Sequence, residues 1–173
     1  GDGSPTAKIA VNLIVNGDFD TSNNGGSGLG ETGLMNHGSY STFDSIQGWV
    51  ATAGKIEVQT GTEPGTPVMP PNNNVVELDA ADTPNTNSTI SQTVNVTDAG
   101  VYKLDFNYSG RDPGNGDVFN TSKFNVLVDN VVVGSYSPST VGFQSSEIAL
   151  NLFGYLANKH IIFYQTISKT EIE

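Results

Sequence analysis

Val101-Tyr102-Lys103-Leu104-Asp105-Phe106-Asn107-Tyr108-Ser109 is the stretch that decides the fold class. Successive side chains of an extended chain point to opposite faces. Tyr102, Leu104, Phe106 and Tyr108 therefore share one face, and Lys103, Asp105 and Asn107 share the other. Such a strand lies with one side in a core and the other in water. The same period of two in Lys55-Ile56-Glu57-Val58-Gln59 places Glu57 and Gln59 on a polar, solvated face. Val128-Asp129-Asn130-Val131 has the pattern of a tight hairpin turn.

Working outward, short alternating segments at residues 9–15, 54–60, 75–79, 89–96, 101–109, 123–129, 131–136, 147–152 and 160–167 read as strands, separated by Gly, Pro, Asn and Asp clusters. Helical stripes are missing almost everywhere. Strands at this spacing give an all-β chain folded as a two-sheet antiparallel β-sandwich. Trp49 follows Gly48 at the start of a further strand and reads as a core residue. Two stretches break the rhythm: residues 20–47, rich in Gly and Asn, and residues 61–74, with Pro64, Pro67, Pro70 and Pro71. Loops of such length in a compact domain usually carry function or motion. The chain of 173 residues fits one domain, with residues 1–7 as linker and 8–173 as a single sandwich.

Composition narrows the partners. Charged residues make up 14% of the chain, and 18 Asp and Glu against 7 Lys and Arg give a net charge of -11. A field of that sign repels nucleic acid and anionic membrane. No apolar run reaches the length of a membrane helix. With no cysteine, disulfides, thiol catalysis and thiolate metal sites are excluded. Only His37 and His160 are available as imidazole bases, and neither lies near a nucleophile motif. Glu57, Glu77, Asp79 and Asp105 are strand carboxylates that a glycosidase mechanism would need to bring face to face.

Excess carboxylate suits a hard cation, and Ca²⁺ takes Asp, Asn and carbonyl oxygens. Asn16-Gly17-Asp18-Phe19-Asp20 sets two carboxylates two residues apart beside free backbone carbonyls. In Asp112-Pro113-Gly114-Asn115-Gly116-Asp117, the three donors Asp112, Asn115 and Asp117 form a second candidate turn. Sugar recognition requires planar hydrogen-bonding groups with an aromatic ring beside them. Arg111 supplies a two-pronged donor, with Asp79, Asp105 and Asn107 as polar partners; Tyr40 and Phe119 are aromatic candidates in loops.

The order Asn12-Leu13-Ile14-Val15-Asn16-Gly17-Asp18-Phe19-Asp20, Gly48-Trp49, Val76-Glu77-Leu78-Asp79, Ile90-Ser91-Gln92-Thr93-Val94 and Tyr108-Ser109-Gly110-Arg111 resembles the galactose-binding-like jelly rolls of carbohydrate-binding modules. Modules of that kind also occur in large bacterial calcium-dependent, RTX-type surface adhesins. The resemblance implies a structural Ca²⁺ near Asp20, a non-catalytic role in carbohydrate binding or adhesion, and a secreted or cell-surface location. It further implies a monomeric module within a larger chain, whose partner is a glycan or a neighbouring adhesin module. Family members close with an Asp-Asn-Val strand, whereas this sequence ends Lys169-Thr170-Glu171-Ile172-Glu173. Three functions stay open: a sugar-binding module using Asp79, Asn107 and Arg111, a structural adhesin domain that spaces or presents another module, and a glycoside hydrolase.

Overall fold

The computed structural model describes residues 12–20, 40–59, 74–78, 87–112, 122–152, 158–165 and 170–172, the last two segments by their backbone alone. Among these residues there is no helix. Twelve strands follow in chain order. They are β1 Tyr40–Phe43, β2 Ser45–Ile46, β3 Trp49–Ala53, β4 Ile56–Gln59, β5 Val75–Glu77 and β6 Thr89–Asn95, then β7 Gly100–Gly110, β8 Phe124–Val128, β9 Val131–Tyr136, β10 Gln144–Leu152, β11 Asn158–Gln165 and β12 Thr170–Ile172.

They build two six-stranded sheets. Sheet I has the order β1-β4-β5-β12-β7-β10 and sheet II the order β2-β3-β6-β11-β8-β9. Every pairing is antiparallel. The chain crosses repeatedly from one sheet to the other, so that strands adjacent in a sheet are mostly distant in sequence, as in a jelly roll. The expected sandwich is thus the observed architecture.

Its core lies between the sheets and follows from the period-two pattern. Leu104 and Phe106 of β7 are buried, as are Ile56 and Val58 of β4 and Val126 of β8. At the β9–β10 side the filling is aromatic. Phe124 and Tyr136 stack with centroids 4.9 Å apart, and Tyr108 meets Phe124 edge-on at 5.5 Å. The β8–β9 hairpin turns at Asp129 and Asn130 with φ of 49° and 65°. Two successive left-handed residues define the turn whose twist matches the flanking strands.

Residues 12–20 form no strand, although residues 9–15 carry a strand-like pattern; residues 9–11 lie outside the described set. Side chains fix the segment instead. Gln92 accepts from Val15 N at 2.7 Å and donates to Val15 O at 2.8 Å. Trp49 Nε1 donates to Asn16 O at 2.9 Å, and its ring packs against Phe19 at 5.4 Å. Gly48, at φ 80°, permits this approach, since a Cβ there would stand 2.8 Å from Val15 O. Trp49 is accordingly a core residue, 4% exposed.

Two expectations are corrected. The stretch 20–47 was expected to be loop, yet its end carries β1 and β2. Both are short, and β1 takes its conformation from pairing with β4. Glu57 and Gln59 were expected in water, yet they are 3% and 0% exposed. Alternation assigns side chains to a face; it does not say whether that face stays open.

Candidate functional site

The outer face of sheet I gathers the strand-borne charge. Register places Thr42 opposite Glu57, Glu57 opposite Glu77, Glu77 opposite Glu171, and Glu171 opposite Ser109, giving one row across five strands. Like charges directly opposite on neighbouring strands destabilise a sheet unless something joins them. Here Gln59 joins them: its Nε2 donates to Glu57 Oε1 at 2.8 Å and also to Glu77 Oε2. Arg111, two residues past Ser109 on the same face, donates through Nη1 to Glu77 Oε2 in an ion pair. Glu77 is 1% exposed and the Arg111 side chain 14%. The two carboxylates fix the direction of the Gln59 amide, because the reversed amide would set its oxygen against both. Gln59 Oε1 is buried without a hydrogen-bond partner.

Further along β7 the same face opens into a cavity of about 420 Å³. Asp105 and Asn107 lie beneath it, Ser145 and Glu147 of β10 on one side, and Gly17 and Asp18 also line it. Ser145 Oγ donates to Asn107 Oδ1 at 2.8 Å, which orients the Asn107 amide. Lys103 stands 3.2 Å from Asp105 and 3.5 Å from Glu147. Between cavity and closed cluster sits Ser109, fully buried, whose Oγ accepts from Gly142 N at 2.9 Å. Tyr40, half-buried on β1, is the register partner of Gln59 and so stands at the far end of the same face.

Asp18 also belongs to a second feature. Phe19 N donates to Asn16 O at 3.2 Å, and Asn16 and Phe19 have φ of 52° and 59°. This turn brings Asp18 Oδ1 within 3.2 Å of Asp20 N, while Asn74 Nδ2 donates to Phe19 O at 3.2 Å. Burial, then the adjacent Asp18 charge, pushes the Asp20 carboxyl up to about 6. Asp20 Oδ1 is enclosed and has no hydrogen-bond partner. A carboxylate pair with an orphaned buried oxygen suits a hard cation, which would replace the repulsion by ligation. Among the described residues no group of three or more His, Cys, Asp or Glu side chains is arranged around a common metal position. Two carboxylates are therefore the core of what this turn offers Ca²⁺.

The structure brings some of the expected site residues together and leaves others apart. Arg111 and Asn107 share the outer face of sheet I, and Arg111 is engaged with Glu77. Asp79, Asn115, Asp117 and Phe119 lie outside the described residues. Asp112 is described and exposed. Sequence reading missed Gln59 and Ser145, and it took Tyr40 for a loop residue. Glu57 and Glu77 do face each other, as a glycosidase requires, but the Gln59 amide occupies the space between them. A glycosidic oxygen would have to displace that amide to sit between acid and base.

No protein-family model matches the chain. No curated protein matches it. Several solved structures are similar. The enzymatically active domain of bacteriophage CBA120 tailspike protein 4 aligns over 94% of this chain at 13% identity and a TM-score of 0.49. This chain spans only 20% of that one. A mutant form of CBM29-2, a family 29 carbohydrate-binding module, aligns over 78% of this chain and 88% of its own, at 12% identity and a TM-score of 0.43. The carbohydrate-binding module CBM36 in complex with calcium and xylotriose aligns over 78% of this chain and 99% of its own, at 14% identity and a TM-score of 0.36. These resemblances assign neither ligand nor activity to this chain.

Proposed function

We propose that the domain is a non-catalytic carbohydrate-binding or adhesion module of a secreted or cell-surface bacterial protein, stabilised by Ca²⁺, and that it binds glycan on the outer face of sheet I. The observation that carries this reading is the grouping of planar polar side chains on a sheet face that does not belong to the core. Guanidinium, carboxylate and amide of Arg111, Glu77 and Gln59 are fixed in one hydrogen-bonded set. Next to it, Asn107 and Ser145 form an oriented amide–hydroxyl pair beside an open cavity. Sugar hydroxyls are donors and acceptors at once, and the Asn107–Ser145 pair at the cavity matches them without reorganisation, while the buried Arg111–Glu77–Gln59 set beside it holds the face rigid. Tyr40 supplies an aromatic ring at the Gln59 end of the face. The excess of carboxylates around the cavity favours neutral over anionic saccharides.

Ca²⁺ enters this reading through Asp18 and Asp20 of the turn, and its role is structural. It would neutralise the pair and fix one wall of the cavity, because Asp18 lines both. Weak extracellular calcium modules work at millimolar ion concentrations, which fits a site with few carboxylate ligands outside the cell. The test is a glycan array probed with Ca²⁺ and with EDTA. Saturable binding to neutral glycans, abolished by Asn107→Ala at unchanged melting temperature, is the expected result. Binding to no glycan in either condition would refute the proposal and favour a domain that spaces or presents another module.

A further inference from the structure

The cavity on the outer face of sheet I is charged as well as polar. Its described lining includes the carboxylates of Asp18, Asp105 and Glu147 and no Lys or Arg. Asp18 belongs to the turn that suits Ca²⁺, which leaves Asp105 and Glu147 to set the charge a ligand meets. Register places these two directly opposite each other on β7 and β10. Like charges so placed repel and favour a cation between them. Lys103 supplies one, its Nζ 3.2 Å from Asp105 Oδ2 and 3.5 Å from Glu147 Oε1. Asp105, then Glu147, raises the lysine above its ordinary pKa, so both carboxylates stabilise an ammonium. All three side chains are more than half exposed, and the pair is open to a ligand from solution.

One ammonium does not balance two carboxylates. Along the outer face the register pairs follow in the order Lys103 with Ala149, Asp105 with Glu147, and Asn107 with Ser145. Each pair stands about 7 Å from the next, two residues of extended chain. Lys103 therefore reaches the carboxylates from one side, and the hydrogen-bonded Asn107 and Ser145 flank them on the other. A hexose seated on that amide and hydroxyl can extend a substituent to the carboxylates opposite the lysine. A hydroxyl there would leave the excess negative charge in place, and an acidic group would add to it; a second ammonium cancels it. We propose, building on the glycan reading of this cavity, that its ligands are aminated saccharides, whose protonated amine joins Asp105 and Glu147 while ring hydroxyls pair with Asn107 and Ser145. The Lys103 ammonium, already held by the same two carboxylates, shows the contact they accept. The net charge of -11 adds long-range attraction for a cationic ligand.

The test is a glycan array on which each hexosamine glycan appears with its amine free and with its amine acetylated, followed by calorimetry on the pair that binds best. With Ca²⁺ present at about pH 5.5, the free amine should bind about fivefold tighter, the size of one exposed ion pair. In about 1 M salt the ratio should fall toward one. Asp105→Asn or Glu147→Gln should bring the ratio to one at low salt, and Lys103→Gln, which removes the competing ammonium, should widen it. Asp44→Asn, which removes an exposed carboxylate that does not line the cavity, should leave it unchanged. These side chains are all exposed, so melting temperatures should stay near the parent's. A parent that binds glycans without preferring the amine overturns the inference and leaves the glycan reading standing; a parent that binds no glycan of either form overturns both. A preference that Asp44→Asn lowers as much as Asp105→Asn is attraction by net charge alone, and it too overturns the inference.

Discussion

Replacing Asp20 by Asn should change stability in opposite directions with and without calcium. In the metal-free fold Asp20 is held at about 6 by burial and by Asp18, against an ordinary value of 3.8. A carboxyl whose folded value is raised contributes stability that is complete below pH 3.8 and disappears as pH rises through about 6. Above that window the ionised group is a liability. At about 1.4 kcal/mol per pKa unit, the full shift corresponds to roughly 3 kcal/mol. Asp20 as a residue is only partly buried, so solvent screens the pair and brings the expected effect to about 1 kcal/mol. Asn has nearly the same shape and no charge. In EDTA at pH 7.5, Asp20→Asn should melt roughly 2–4 °C above the parent, and at pH 3.5 the two should coincide. With saturating Ca²⁺ the order inverts, because the parent gains about 2.7 kcal/mol at a hundredfold excess over Kd and the variant has lost a charged ligand. Differential scanning fluorimetry in four conditions suffices. A variant less stable than the parent in EDTA at pH 7.5, or equal calcium gains for both, refutes the reasoning.

Three other substitutions probe the same architecture. Glu77→Gln leaves Arg111 without its buried carboxylate partner and should cost about 3 kcal/mol, read as a lower urea midpoint at unchanged slope. Asn107→Ala removes a partly exposed amide from the cavity and should alter stability by less than about 0.5 kcal/mol while lowering glycan affinity at least tenfold, as measured by calorimetry. Gln92→Ala releases both hydrogen bonds to Val15 and should cost about 2 kcal/mol. Since residues 12–20 also carry Asp18 and Asp20, the Gln92→Ala protein should in addition require more Ca²⁺ for half-saturation, and an unchanged calcium titration would separate the clamp from the turn.

What could be read in the sequence, and what could not, divides along the range of the interactions. Val101-Tyr102-Lys103-Leu104-Asp105-Phe106-Asn107-Tyr108-Ser109 announces β7 because alternation is local, and Asp129-Asn130 announces its turn because left-handed backbone is a property of two residues. β1 has no such signal: Tyr40-Ser41-Thr42-Phe43 is a strand through its pairing with β4, where Ser41 lies opposite Val58, seventeen residues on in the sequence. The candidate site follows the same division. Asn107 was legible as a polar residue of β7, and Arg111 as one directly after it. Gln59 was not, since its role comes from Glu77 on the neighbouring strand and Arg111 two strands further on.

Glu57 and Gln59 make the physical point most sharply. Period two placed both on the face opposite Ile56 and Val58, and that assignment is right. The further step, from polar to solvated, fails because both are as buried as their apolar neighbours. A chain gains nothing in stability by closing over a carboxylate that water would solvate better. Gln59, bonded to both Glu57 and Glu77, and Arg111, paired with Glu77, offset the cost of burying these carboxylates and fix the planar groups they join. Buried polar side chains so placed cost folding energy and hold the face rigid, as the proposed recognition surface requires. The face that violates the simple pattern is therefore where function should be sought.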